Sequence, residues 1–280
     1  MEEILTLPSL RQLIDEANLK TKKKFGQNFL LDANITDKIA RVAGPLNDRT
    51  VIEVGPGPGG LTRSLLLAGA DRIIAIEKDP DCVSLLYSLV QAAKGKLTLR
   101  HQDALTLDYQ ALLAPQTKII ANLPYNVGTP LLLKWLPLAS SIESMTLMFQ
   151  KEVALRLCAQ PNSKNYGRLS VITQFYTSSR ILFDVPAQAF TPSPKVTSSI
   201  VQLNPHKHLP FTACPKALEH LLKVTFGQRR KMLRSSLKNF VDNAERLLEN
   251  ANIPPVARPE ELSLEDFCRL ATLYKEHHHP

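Results

Sequence analysis

The sequence predicts an α/β protein with a mostly parallel sheet, followed by a small all-helical domain. Three observations lead there. From residue 50 onward, short β-branched runs alternate with longer helical patterns. The residues just past these runs are glycines, carboxylates and amides, the kinds that serve ligands. After Leu203 the texture changes, and prolines punctuate a helical remainder.

The elements follow in order. TVIEV (50–54), RIIAI (72–76), LTLR (97–100), KIIA (118–121) and MTLMF (145–149) read as buried strands. LTRSLLLAG and PDCVSLLYSLVQAAKG lie between them, each with apolar residues at helical spacing and a glycine stop. Strand, helix, strand repeated in this way predicts right-handed crossovers and a parallel sheet covered on both faces. LSVITQFY (169–176) and SSIVQL (198–203) read as two further strands, bringing the sheet to seven. VPAQAFTPSPKVT between them is too short for a helical crossover, which predicts an antiparallel last pair. Pro205, Pro210 and Pro215 then form a linker into four helical segments. The expected domains are therefore 1–204, carrying the sheet, and 205–280, all helical.

Bulk properties narrow the class. With 44% hydrophobic residues, a chain of 280 can bury a full core without staples. No apolar run approaches the roughly 18 residues of a membrane span. The N-terminus is acidic and lacks an apolar signal core, so a cytoplasmic location is expected. Cys82, Cys158, Cys214 and Cys268 show no Cys-x-x-Cys pairing and read as reduced thiols, with no metal site expected. The terminal His277–His279 run reads as either a tag remnant or a native tail. The net charge of +8 is unevenly placed. Lys20, Lys22, Lys23 and Lys24 cluster near one end, and Arg229, Arg230, Lys231 and Arg234 near the other, as suits a phosphate backbone.

Ligands of open parallel sheets bind beyond the carboxyl ends of the strands. The first strand is followed by EVGPGPGG (53–60), where Gly55, Gly57 and Gly60 satisfy G-x-G-x-x-G. Glu77 ends the second strand, at the distance where a carboxylate would clamp a ribose diol. To this point a nicotinamide dehydrogenase and a nucleoside-cofactor methyltransferase stand level. Glu53, Pro56 and Pro58 suit a stiff wall beside a compact cofactor better than a pyrophosphate cradle. Asp103 follows the third strand, either as an ordinary cap or as an acceptor for an adenine amine.

The fourth strand ends in Asn122-Leu123-Pro124-Tyr125. A turn needs only the asparagine and the proline, so the tyrosine calls for another reason. An adenine N6 amine is a poor nucleophile because its lone pair is delocalised into the ring. Acceptors on its two hydrogens, the Asn122 side-chain carbonyl and the Pro124 backbone carbonyl, would favour a pyramidal nitrogen aimed at a methyl sulfonium. Tyr125 would supply a face on which the extruded base stacks. Positioning and electrostatics would then carry most of the rate.

With these motifs in place the sequence closely resembles the ribosomal RNA adenine dimethyltransferases. KKKFGQNFLLD (22–32), EVGPGPGGLT, NLPYNVGTPLL, FQKEVALRL (149–157), YGRLSV (166–171), AFTPSPKVTS (189–198) and FGQRRKMLRSSL (226–237) match the family's motifs in order. The resemblance implies a Rossmann-like fold of the class I S-adenosylmethionine-dependent methyltransferases, with a helical RNA-binding tail. It implies that Asn28, Leu30, Gly55, Gly57, Glu77, Lys78, Asp103, Ala104 and Asn122 line the S-adenosylmethionine site. Asn122, Leu123, Pro124 and Tyr125 would hold the target base, with Phe190 stacking on its far side or else serving as core. Lys22, Lys23, Lys24, Arg229, Arg230, Lys231 and Arg234 would contact RNA. The implied substrate is a pair of adjacent adenosines near the 3′ end of small-subunit ribosomal RNA, on an immature subunit, with the enzyme a monomer. The alternatives are a large-subunit RNA methylase of the antibiotic-resistance type and a non-catalytic assembly or transcription factor.

Overall fold

The computed structural model describes residues 2–22, 26–114 and 116–278. The chain divides into two compact units. The first holds the residues up to Ala154 together with Arg180–Pro205, and the second holds Leu155–Ser179 with the chain from His206 onward.

In the first unit, helices α1 (Glu2–Leu5) and α2 (Leu10–Glu16) precede a short strand β1 (Phe29–Leu30) and helix α3 (Ala33–Val42). The sheet region follows as β2 (Thr50–Val54), α4 (Gly60–Leu67), β3 (Arg72–Glu77), α5 (Pro80–Ala92), β4 (Leu97–His101) and β5 (Thr117–Asn122). Then come α6 (Gly128–Trp135), β6 (Ser144–Gln150) and α7 (Lys151–Leu157), the last running into the second unit. Helix α8 (Arg168–Tyr176) belongs to the second unit, and β7 (Thr177–Val185) crosses back into the first. β8 (Phe190–Thr191) and β9 (Ser198–Pro205) complete the first unit.

The seven-stranded sheet has the order β4-β3-β2-β5-β6-β9-β7. Strands β2 to β6 pair in parallel, and β9 lies antiparallel to β6. Arg180 bonds Gln202 while Ser199 bonds Asp184, so the contacts run in opposite order along β7 and β9. That last pair is antiparallel. The strand order reverses between β2 and β5, the switch point at which open sheets bind ligands. Four of the five parallel strands, β2, β3, β5 and β6, are near-continuous runs of buried residues because helices cover both faces, while the edge strand β4 is mostly exposed.

One expected strand is a helix. LSVITQFY forms most of α8, and the last sheet strand is the following TSSRILFDV. Val171, Ile172 and Phe175 are all buried, at helical spacing, and the Gly167 amide donates to Ser170 Oγ at the helix start. A short apolar run buried on several sides has no telling period, and the half-exposed β7 hid behind its serines and arginine. This also corrects the expected boundary at 204/205. Because α8 packs on α9 (Pro215–Gly227), residues 155–179 join the helical unit, and the chain crosses between units three times.

The second unit continues with α10 (Leu233–Leu237), α11 (Ala244–Asn250) and α12 (Leu264–His278). Its core stacks the rings of Tyr166, Phe226 and Phe267, and Tyr166 Oη donates to the Leu262 carbonyl at 2.9 Å.

Candidate active site

The carboxyl ends of β2 to β5 open into a cleft within the first unit, about 1180 Å³ counted out to solvent. Its first wall is the loop from β2 to α4. Gly55 and Gly57 adopt φ of +70° and +56°, a conformation that costs a side chain about 1 kcal/mol or more. A Cβ on Gly57 would also stand 3.1 Å from the Phe29 ring. The loop curls around a carboxylate. Glu77 Oε2 accepts the Gly57 amide at 3.0 Å, and Oε1 accepts the Lys78 and Asp79 amides at 2.8 Å. Glu77 is 7% exposed, and burial raises its pKa against the pull of those three amides.

Glu53 lies deeper, 1% exposed, and its Oε2 has no hydrogen-bond partner among the described residues. Burial, reinforced by the Glu77 charge, pushes its pKa up to about 8. It therefore carries a proton near neutrality. Asp103 stands at the far wall, with Oδ1 taking the Leu105 amide at 2.9 Å and Oδ2 the Lys78 ammonium at 2.6 Å. Lys78 is the main reason that its pKa lies below the usual carboxylate range. Asp103 is thus a turn residue and a cleft residue at once.

The opposite wall is the loop after β5. The Asn122 side-chain amide has no protein partner among the described residues, while its backbone is fixed opposite Met148 in the sheet. The next carbonyls differ from the expectation. Pro124 O accepts both the Val127 and Gly128 amides at 3.1 Å, which opens α6 and uses both of its lone pairs. Leu123 O receives no hydrogen bond from the described residues. The carbonyl left open beside Asn122 is therefore that of Leu123, not that of Pro124. Tyr125 is half-buried, and its hydroxyl lies 2.6 Å from Ser198 Oγ.

A third wall comes from the N-terminal segment. β1 pairs with β8, setting Leu30 opposite Phe190, and Asn28, Gln27 and Phe29 line the cleft beside them. Phe190 is 4% exposed and belongs to the same core cluster as Leu30, Met148 and Ile200. Its ring is core first and offers the cleft only a small surface. Ala104 and all the other expected cofactor and base residues line this one cleft. Glu53 lines the cleft as part of the expected wall, whereas Gln27 was missed as a lining residue. Glu53 was visible as the acid before the glycines, and Gln27 as the neighbour of Asn28.

The basic residues are less uniform. Lys22 pairs with Asp79 at 2.6 Å and Asp81 at 2.7 Å, and Lys23 and Lys24 lie outside the described residues. Arg229 is spent inside its own unit, donating to Glu260 Oε2 and to the carbonyls of Ser163 and Lys164. That is a structural clamp rather than a cation open to phosphate. Arg234 pairs with Glu245 at 3.3 Å on the surface. Arg230 and Lys231 are exposed, with no polar partner for their side chains among the described residues.

The cleft suits a nucleoside that carries positive charge. Glu53 and Glu77 face it, and the Leu30 carbonyl stands 2.9 Å from where a Cβ of Gly60 would be, over the start of α4. A pyrophosphate would meet the Glu77 carboxyl and a carbonyl there, beside a Glu53 that is protonated near neutrality and gives it no cation. The dehydrogenase reading does not fit, whereas S-adenosylmethionine, with a ribose diol for Glu77 and a cationic methionine moiety, does.

Comparison with known proteins agrees. Residues 18–276 match the family model described as ribosomal RNA adenine dimethylase. A Rhizobium meliloti (strain 1021) protein, ribosomal RNA small subunit methyltransferase A, is 52% identical over 95% of this chain and 97% of its own length. The protein of that name from Paracoccus denitrificans (strain Pd 1222) is 51% identical over 97% of each chain. A solved dimethyladenosine transferase from Plasmodium falciparum has a TM-score of 0.74 at 26% identity, covering 85% of this chain and 94% of that one. The 23S rRNA methyltransferase ErmE has a TM-score of 0.65, also at 26% identity, over 89% of this chain and 100% of its own.

Proposed function

The chain belongs to the ribosomal RNA adenine dimethylase family, and from that premise we propose which RNA it modifies and which residues carry the reaction. It is an S-adenosylmethionine-dependent enzyme that dimethylates adenine in ribosomal RNA. Its target is two adjacent adenosines near the 3′ end of small-subunit RNA, modified on an immature subunit by a monomer in the cytoplasm. The name and high identity of the relatives favour the small subunit over the large one.

Bound in the cleft, S-adenosylmethionine supplies a methyl group activated on a sulfonium. Glu77, its carboxylate fixed by three amides, would hold the ribose diol through the lone pair left on Oε2. Asp103 retains lone pairs that would take the adenine amine, and Asn28, Leu30 and Gly55, which line the same cleft, would hold the methionine end. Across the cleft, the Asn122 amide oxygen and the Leu123 carbonyl accept the two hydrogens of the target N6. Those bonds draw the lone pair out of the ring and aim it along the line of transfer. Tyr125 carries the base. As the N6 lone pair forms the new N–C bond, the methyl–sulfur bond would break with its electrons left on sulfur, giving the neutral thioether S-adenosylhomocysteine as leaving group. The cationic, strongly acidic nitrogen would then shed its proton to water without a strong base. Arg230 and Lys231 on the helical unit take RNA phosphates.

One observation carries this reading. A buried, amide-fixed carboxylate and an unpartnered asparagine amide sit at the ends of β3 and β5 and line the same cleft. The test is incubation with S-adenosylmethionine and small subunits that lack adenine dimethylation, followed by nucleoside mass spectrometry. N6,N6-dimethyladenosine should appear. If the cofactor binds but no such nucleoside forms, the chain acts as an assembly factor or on another RNA.

A further inference from the structure

Tyr125 and Ser198 are joined by a 2.6 Å hydrogen bond across 73 positions of sequence. Tyr125 follows β5 and Ser198 begins β9, with β6 between them in the sheet. The tyrosine therefore reaches over the carboxyl end of β6 to a neighbour two strands away. Its anchor is rigid. Ser198 is fully buried and paired with Gln150 in register. The Thr197 carbonyl accepts the Lys151 amide at 2.9 Å, and Ser199 Oγ donates to Asp184 Oδ1 at 2.6 Å. The ring is thus held at both ends, by its backbone in the loop and by its hydroxyl on a core strand.

We propose that Ser198 is a positioning residue for base methylation, fixing the Tyr125 ring as a platform of set orientation, and that the second methyl transfer depends on it more than the first. The inference rests on the reading that Tyr125 stacks on the target adenine. A tethered ring has no rotamer freedom to lose when the base arrives. The unequal dependence follows from hydrogen count. The unmodified amine offers one hydrogen each to Asn122 and the Leu123 carbonyl. After one methylation a single hydrogen remains, so one acceptor no longer orients the nitrogen. Stacking must then carry more of the alignment.

Ser198→Ala removes the tether without touching the ring face, and Tyr125→Phe removes it from the other side. Each should slow the first transfer by about three- to tenfold, the effect of one neutral hydrogen bond. Each should slow the second transfer further, so that N6-monomethyladenosine accumulates relative to the dimethylated product. The double variant should be no slower than either single one, because both remove the same bond. Ser198→Thr, which keeps a hydroxyl, should restore the wild-type product ratio. S-adenosylmethionine affinity should stay within about twofold throughout. A wild-type mono- to dimethyl ratio in Ser198→Ala, or losses that multiply in the double variant, would overturn the inference. Should the wild-type enzyme form no dimethyladenosine at all, the functional reading beneath it fails instead.

Discussion

Lys22 Nζ lies 2.6 Å from Asp79 Oδ1, although 57 positions separate the two residues. Asp79 is fully buried, and its other oxygen takes the Gln27 amide at 2.7 Å. Its own backbone amide donates to Glu77. One carboxylate therefore fastens the N-terminal segment to the buried Glu77 carboxyl of the cleft. Lys22 is engaged in that fastening with Asp79 and Asp81, which makes its role in this geometry a structural one.

Asp79→Asn should loosen this corner. Burial alone would raise the Asp79 pKa, but Lys22, Gln27 and the Asp81 amide together bring it below the ordinary value. A depressed carboxylate adds stability that is present above its unfolded pKa and disappears as pH falls through the folded one. The variant should lose about 3–6 °C of melting temperature at neutral pH, for a loss of about 1–2 kcal/mol, and less in acid. Weaker S-adenosylmethionine binding and faster tryptic cutting near Lys20 should accompany the change. Calorimetry with and without cofactor would check this, and an unaltered cofactor affinity would separate the segment from the site.

Glu53 makes the opposite contribution. The folded state keeps its proton up to about pH 8, whereas the ordinary value is 4.5. Between those values the folded chain holds more protons than the unfolded one. Its stabilising effect is full at the acid end and lost as pH rises through the folded value. Glu53→Gln keeps the neutral shape and should flatten the fall in stability across that window. The difference in slope can reach about 1.4 kcal/mol per pH unit. Urea unfolding of both proteins across the window reads it, and parallel slopes would mean that Glu53 is ionised in the fold.

Asn122→Ala should leave S-adenosylmethionine affinity nearly unchanged and cut methyl transfer by about 10²–10³-fold, as when one preorganised partner of a transition state is removed. Asn122→Asp keeps an acceptor oxygen and should retain more activity than the alanine variant. Single-turnover rates at saturating cofactor decide this. Equal rates for wild type and Asn122→Ala would end the proposed mechanism.

The helical unit separates two kinds of arginine. Arg230→Ala and Lys231→Ala should each lessen the slope of log affinity against log salt by about 0.7–0.9 in RNA binding. Arg229→Ala should leave that slope alone and lower thermal stability instead, since it strands Glu260 and two carbonyls. Titrations at several salt concentrations and a melting curve distinguish them.

Much of this protein was legible from local sequence. The strands β2 to β6, helices α4 and α5, the glycine loop, Glu77, Asp103 and the Asn122 motif were all read within a residue or two, while α6 was not read. Each rests on short-range rules of hydrophobic period, positive φ and strand-end chemistry. α8 was not legible, because its run is buried on several sides and a burial pattern without contrast has no period. The domain boundary failed with it.

The rest required the tertiary structure. That the Pro124 carbonyl is consumed by α6 while the Leu123 carbonyl is open depends on where a helix begins. That Arg229 clamps its own unit while Arg230 faces solvent depends on which carbonyls the fold brings near. Phe190 became core, and Tyr125 found Ser198, through strand pairings between residues far apart in the chain. The sequence determined which chemical groups stand at the strand ends, because those positions follow from the period of each element. The tertiary structure decided which of those groups remain free to act, because a hydrogen bond or a packed face is used up by whichever partner folding brings to it.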